Sequence, residues 1–415
     1  MKTPRIALPV WRFDPIMLTI TLALLLIGLL MMSSASITVS EQDYGDPLFL
    51  LKKQAVFTLI GLIGVIAAMS VPARFWQWSG YLSLIVAFVL LIVVLIPGIG
   101  HTVNGSTRWI RLGFMNFQAS EAARLLMLFY LCSYLVRHND QVRESFAGFA
   151  KPMLFVVLAS CLLLLEPDFG AATVLLGVTL GVLFIGGVRF RHYVLLVVLA
   201  VAAMAAMATS STYRMQRLTA FWDPWQDPFG NGFQLTQSLI AIGRGELFGV
   251  GLGDSVQKLF YLPEAHTDFV FAVLAEEFGL MGSVLVLALF FALVARGFAI
   301  ARRAMRMDLP FQGYLAYSIS IWFALQSFIN IGVNMGALPT KGLTLPLMSY
   351  GGSSLIMSMV SVGILLRIYH EVAGVESKVD MAPLMASNAT RKAAANAARA
   401  TAKRAAKTRG RRAAA

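Results

Sequence analysis

A chain of 415 residues that is 58% hydrophobic and only 13% charged, with a mean hydropathy of +0.73, is excluded from the water-soluble class, whose charged fraction runs near a quarter. It reads as a polytopic membrane protein. The net charge of +13 is concentrated in residues 391–415, which carry nine Lys or Arg and no acid and leave +4 for the other 390; that stretch has no aromatic residue, so a nucleic-acid-binding face is excluded too.

A helix crosses the hydrocarbon with about 20 apolar residues, and ten such runs are predicted, at 15–36, 54–71, 78–97, 118–136, 152–166, 171–187, 194–209, 268–295, 309–335 and 353–370. The first contains a cleavage-like Ser33-Ser34-Ala35-Ser36, but Ile16–Met32 exceeds a secretory h-region and reads as a retained span. Basic residues flank the spans unevenly. With the N-terminus inside, the cytoplasmic segments hold Lys2, Arg5, Arg12, Arg74, Arg137, Arg143, Lys151, Arg189, Arg191, Arg296, Arg302, Arg303 and Arg306 before any of the tail is counted. The outside holds Lys52, Lys53, Arg108, Arg111, Arg124, Arg214, Arg217, Arg244, Lys258 and Lys341, so both termini are expected in the cytoplasm. The expected organisation is an all-α protein: a cytoplasmic segment 1–14, a ten-span membrane domain 15–370 with one large periplasmic loop at about 210–267, and a basic, disordered tail 371–415. Within the loop, Gln234–Gly249 suits an amphipathic helix on the membrane surface. The tail is a solvated charge run, or a contact to anionic lipid or an acidic partner. Cys132 and Cys161, each inside an apolar run, read as small buried hydrophobes, and the five scattered histidines offer no zinc motif.

The loop and its surroundings carry specific motifs: Gly243-Arg244-Gly245-Glu246-Leu247-Phe248-Gly249-Val250-Gly251-Leu252-Gly253, Gln257-Lys258-Leu259, and Tyr261-Leu262-Pro263-Glu264-Ala265-His266-Thr267-Asp268-Phe269. Others are Asn104-Gly105-Ser106 with Arg108-Trp109-Ile110, Gln118 with Ser120-Glu121, Glu166-Pro167-Asp168-Phe169-Gly170, and Ser349-Tyr350-Gly351-Gly352-Ser353-Ser354. Together, over about residues 15–370, they resemble the SEDS family. Pro263-Glu264-Ala265-His266 and Leu338-Pro339-Thr340-Lys341-Gly342-Leu343 resemble its cell-division member more than its elongation member. The resemblance implies a peptidoglycan glycosyltransferase of the bacterial inner membrane, at the division septum. It would polymerise lipid II and release undecaprenyl diphosphate, with a class B penicillin-binding protein and other divisome proteins as partners. A lipid II flippase and a non-catalytic division scaffold are the rival readings.

Asp268, at the mouth of the eighth span, reads from the residues alone either as a helix N-cap or as an ionisable group facing a cavity. The resemblance implies the general base. Glu276 and Glu277 follow on the same helix, where structural ion pairs or hydrogen bonds are favoured, Glu276 having the better view of a cavity. Glu121 and Arg124 stand at i and i+3, fit for a salt bridge or for orienting substrate. Arg108 and Arg111 around Trp109 suit a lipid diphosphate headgroup, or an interfacial anchor; Lys258 and Lys341 are weaker candidates for the same duty. Ser353, after Gly351-Gly352, opens the tenth span, where free N–H groups receive phosphate or small residues pack helices. Through the shared motif, His266 joins the substrate-binding candidates and Glu264 the supporting ones. Mg or Mn could accompany the diphosphate, although no carboxylate cage is evident.

Overall fold

The computed structural model describes residues 12–103, 105–113, 115–209, 215 and 220–377. Lys2, Arg5, Asn104, Arg214, Arg217 and the basic tail beyond Ser377 lie outside the described residues. The helices, in chain order, are α1 (Pro15–Tyr44), α2 (Phe49–Ser70), α3 (Ala73–Trp78), α4 (Gly80–Leu95), α5 (Ala119–Arg137), α6 (Asn139–Glu144), α7 (Phe146–Leu165) and α8 (Phe169–Ile185). They continue with α9 (Phe190–Thr209), α10 (Phe233–Arg244), α11 (Val270–Arg306), α12 (Pro310–Asn334) and α13 (Gly352–Ser377). Among the described residues seven are long and apolar enough to span a membrane, namely α1, α2, α5, α7, α11, α12 and α13, and α4, α8 and α9 supply shorter apolar stretches.

Helix ends follow local chemistry more closely than the apolar runs do. Asp14 caps α1 by accepting from Ile16 N and Met17 N, with Pro15 at the first position, and Gly45 closes it in the left-handed region. The helix thus runs eight residues beyond the expected 15–36, through the polar turn Ser40–Asp43. Pro152, which marks the start of a span in the sequence reading, sits inside α7; the helix begins at Phe146 because Ser145 Oγ accepts from Gly148 N. The last helix likewise continues to Ser377, past the expected boundary at 370. Cys132 is buried but Cys161 is exposed on the outside of α7, contrary to its reading as a core residue, since an apolar run does not tell a lipid-facing position from a protein-facing one.

The least hydrophobic spans are the most enclosed. α5 and α12 have mean hydropathies of 1.3 over windows that are 83% and 61% buried, against 2.5 and 28% for α11. Polar side chains are tolerated in helices shielded from lipid by protein, and α5, α12 and α13 carry those of the site. α12 packs on α11, α8 and α5, and α4 on α5. Arg12 N donates to His370 Nδ1 and Arg296 pairs with Asp14 at 2.7 Å, so both ends of the described chain lie on one face of the molecule.

Two features were not expected. Residues 100–118 form a small antiparallel sheet, β1 (Gly100–Val103), β2 (Ser106–Arg111) and β3 (Asn116–Gln118), in the order β1-β2-β3, with Trp109 opposite Gln118; β3 leads directly into α5. The second is a break in α11 at Gly279, whose φ and ψ are 64° and −158°. A broken helix frees backbone groups that cost several kcal/mol each if left unpaired in hydrocarbon. Here the segment 246–251 pairs with them: Leu280 N and Met281 N donate to Glu246 O and Leu247 O, and Val250 N and Gly251 N donate to Glu276 O and Glu277 O. The pairing accounts for α10 ending at Arg244 rather than running to Gly249. It also explains the glycines. A Cβ on Gly249, which has φ 83°, would stand 2.1 Å from Glu277 O, and one on Gly279 would stand 2.4 Å from Gly249 N.

Candidate active site

Asp268 precedes α11, and its position is set by its backbone. Glu264 adopts φ 58°, a left-handed conformation that costs a non-glycine residue roughly 1–3 kcal/mol and tends to mark functional sites. Its carbonyl accepts the N–H groups of Thr267, Asp268 and Phe269 at 3.2, 3.1 and 3.2 Å. From α12, Asn330 Nδ2 and Asn334 Nδ2 donate to Asp268 O at 2.9 and 3.0 Å. The N-cap of α11 is Phe269, without a capping side chain; the first-turn donor Ala272 N goes to Asn334 Oδ1 at 3.0 Å. Asn334 therefore takes the capping duty that the sequence offered to Asp268. The Asp268 carboxylate lies against Gly342, its Oδ2 3.0 Å from where a Cβ would stand, and Gly342 follows Lys341 in the chain.

This carboxylate lines a cavity of about 1100 Å³ together with Lys53, Arg108, Glu121, Arg124, Asp168, Glu264 and Lys341, above the usual range of small-molecule pockets. Asp168 caps α8 by accepting from Ala171 N, receives Gln118 Nε2 and Ser120 Oγ at 3.1 and 3.0 Å, and stands 3.9 Å from Arg108. Arg108 also lies 4.6 Å over Trp109, and its buried Nε has no hydrogen-bond partner among the described residues. Glu121 and Arg124 are 3.5 Å apart and almost wholly buried. Arg124 further donates to Gln326 Oε1 at 2.7 Å and lies over Trp322. Pairing and cavity lining thus coexist at these two residues. Lys341 lies 5.3 Å over the Phe169 ring and makes no carboxylate contact among the described residues. Burial pulls its ammonium below the usual lysine range. Among the described residues Lys341 thus has no carboxylate beside it, whereas Arg108 has Asp168 at 3.9 Å.

Other candidates lie elsewhere. Arg111 is three positions from Arg108 on β2, so the two point to opposite faces of the strand; Arg111 bonds His101 Nε2 at 2.7 Å and stays out of the cavity. Ser353 Oγ accepts from Gln118 N at 2.9 Å and donates to Asn116 O, joining β3 to α13 just where α5 begins without a capping side chain. Lys258 is buried, with Nζ 2.8 Å from Glu277 and from Ser34 Oγ, and also bonded to Gly253 O; a buried ammonium needs such partners and has none to offer substrate. Glu277 receives Ser34 Oγ as well. Glu276 receives Arg244, Ser255 Oγ, Val256 N and Gln257 N. Both acids thus tie the loop after α10 to the half-helix that follows Asp268. His266 packs against Tyr350, ring centroids 5.6 Å apart, outside the main cavity. Burial lowers its pKa against the opposing pull of Glu264 and Asp43.

Lys53, Asp168, Asn330 and Asn334 were missed as site residues. The Asn330/Asn334 pair had a signal, two amides at i and i+4 in an apolar span; Lys53 had none beyond its charge. Among the described residues no group of three His, Cys, Asp or Glu could hold a metal ion.

The sequence matches the cell cycle protein family of FtsW, RodA and SpoVE over residues 15–374. Among its relatives, the probable peptidoglycan glycosyltransferase FtsW of Thioalkalivibrio sulfidiphilus is 53% identical over 369 residues, 89% of this chain and 91% of that one. That of Coxiella burnetii is 52% identical over 362 residues, covering 87% and 97%. Two solved structures share the fold. One, described under the structural coordination of polymerization and crosslinking by a peptidoglycan synthase complex, has a TM-score of 0.70 at 29% identity, covering 87% of this chain and 98% of that one. The other, the Rod shape determining protein RodA of Thermus thermophilus, has a TM-score of 0.65 at 28% identity, covering 87% and 98%. By family match and by its relatives, the chain belongs to the SEDS family of FtsW, RodA and SpoVE.

Proposed function

We propose that this protein is a peptidoglycan glycosyltransferase that polymerises lipid II during septal wall synthesis, with Asp268 as general base. The observation that carries the reading is the juxtaposition, in one cavity, of a carboxylate and a lysine that meets no carboxylate among the described residues. The Asp268 Oδ2 stands 3.0 Å from where a Cβ on Gly342, the neighbour of Lys341, would be, and Asp268 and Lys341 line one large cavity with Arg108. In the reaction a GlcNAc 4-hydroxyl attacks the anomeric carbon of MurNAc. The new C–O bond forms as the hydroxyl proton passes to the Asp268 carboxylate, and the bond from the anomeric carbon to the diphosphate oxygen breaks, its electron pair leaving with undecaprenyl diphosphate. Lys341 and Arg108 stabilise the charge that develops there. The donor brings its own activation, so no nucleotide is needed.

The basic residues around the face that carries both ends of the described chain favour a cytoplasmic setting for that face, and in that orientation the cavity opens to the periplasmic side, where the sugars are. A class B penicillin-binding protein is the expected partner, supported by the similarity to a structure described as part of a peptidoglycan synthase complex. The test is purified protein in liposomes with lipid II, alone and with that partner. Glycan chains support the polymerase; lipid translocation without polymer indicates a flippase, and neither indicates a scaffold.

A further inference from the structure

A second chamber of about 570 Å³ adjoins the first and shares with it Lys53, Asn116, Glu264 and Tyr350. The partition is the segment 263–268. Pro263, Ala265 and His266 line the second chamber, Thr267 and Asp268 line the first, and Glu264 lines both. The fold-back at Glu264 that sets Asp268 therefore also presents His266 on the other side, where the Tyr350 N–H donates to His266 O at 2.9 Å.

The two chambers differ in chemistry. The first holds Arg108, Arg124 and Lys341. The second has only Lys53, which is shared, and Lys258, whose charge is met by Glu277 at 2.8 Å, so it offers little to a diphosphate. Instead it presents the rings of Tyr44 and Tyr350, the carboxylates of Asp43 and Glu264, and the imidazole of His266. The buried Nδ1 of that imidazole has no hydrogen-bond partner among the described residues. Aromatic faces pack on the C–H faces of pyranose rings, while carboxylates and a neutral imidazole, one nitrogen a donor and the other an acceptor, bond ring hydroxyls and an acetamide. A buried polar atom left unpaired is costly unless a ligand completes it.

We infer that the second chamber is the acceptor-sugar site: it binds an uncharged N-acetylated pyranose through His266 and Glu264 and passes its attacking hydroxyl across the 264–268 turn to Asp268. The inference rests on the glycosyl-transfer reading and adds a division of labour to it, with diphosphate on one side of the partition and acceptor sugar on the other.

The test uses N,N′-diacetylchitobiose, an uncharged disaccharide, in photoreactive form on the wild-type protein in lipid nanodiscs, followed by mapping of the labelled residues. Labels on 39–44 or 260–266 are expected, and undecaprenyl diphosphate should leave them in place. Labels confined to the segments around Arg108 and Lys341, labels removed by undecaprenyl diphosphate, or no site-specific labelling would overturn the inference. As a second measurement, His266→Ala should weaken disaccharide binding on the order of tenfold, as expected for the loss of one or two hydrogen bonds, with undecaprenyl diphosphate binding unchanged. Asp268→Asn should retain the disaccharide. That variant's turnover tests the general base separately, so one reading can fail while the other stands.

Discussion

Replacing Lys258 by Met removes one member of a buried ion pair and leaves the other. The Lys258 and Glu277 side chains are 7% and 0% exposed at 2.8 Å. Without the ammonium, Glu277 Oε1 keeps only Ser34 Oγ, while its Oε2 already has no partner among the described residues. Removing one partner of such a pair costs about 3–5 kcal/mol, because a charge stays buried uncompensated; replacing both by neutral groups of similar volume is often neutral or stabilising. Lys258→Met is therefore expected to lower the thermal midpoint of the purified protein by several degrees, and Lys258→Met with Glu277→Gln to recover most of the loss. Because the pair anchors the half-helix behind Asp268, turnover should fall in the single variant and partly return in the double one, with KM for lipid II little changed. If Lys258→Met keeps its midpoint and instead raises KM severalfold at unchanged kcat, the lysine faces substrate and the buried-pair reasoning is wrong.

Burial, reinforced by Asp168, pushes Glu166 up to about 8 from an ordinary 4.5. The folded state thus holds this proton more tightly than the unfolded state; the stabilisation is complete below pH 4.5 and is lost as pH rises through about 8. Glu166→Gln should flatten that decline in a pH series of thermal midpoints, and an unchanged slope would show the carboxyl is not the source. Gly249→Ala brings a Cβ to 2.1 Å from Glu277 O at φ 83°, so it should destabilise by at least the roughly 1–3 kcal/mol of a strained backbone and reduce turnover. A variant with wild-type midpoint and rate would contradict the backbone pairing at the helix break. For topology, reporters fused at Lys151 and Arg303 should read cytoplasmic and one at Gln226 periplasmic; a cytoplasmic Gln226 would place the cavity on the wrong side for its sugars.

The spans were legible because lipid imposes long apolar runs on any chain that crosses it. Their ends were not, since they depend on single caps such as Asp14 and Ser145 and on polar extensions such as Ser40–Asp43. The sheet at 100–118 escaped notice because its strands are short and glycine-punctuated, and with it went the strand alternation that separates Arg108 from Arg111. Glycines 249 and 251 stood in the sequence only as part of a motif, because their use, letting one backbone seal a break in another, needs Gly279 to arrive from a distant stretch of sequence. The same holds for charge. That Glu276 and Glu277 wanted partners followed from their place in an apolar helix; that those partners were Arg244 and Lys258 did not, because loop residues carry no periodicity from which to locate them. Lys341 shows the complementary limit, since whether a cation meets a carboxylate is defined by what surrounds it in space.

The most direct test of the account is the rate of glycan polymerisation by purified Asp268→Asn, measured beside its thermal midpoint. Asparagine preserves size, and the helix start is capped by Asn334 Oδ1, so the midpoint should stay close to wild type. Loss of a general base should slow turnover about a hundred- to ten-thousand-fold, roughly 3–5 kcal/mol in the barrier. Near-normal turnover in a folded Asp268→Asn protein would contradict the assignment of Asp268 as the base.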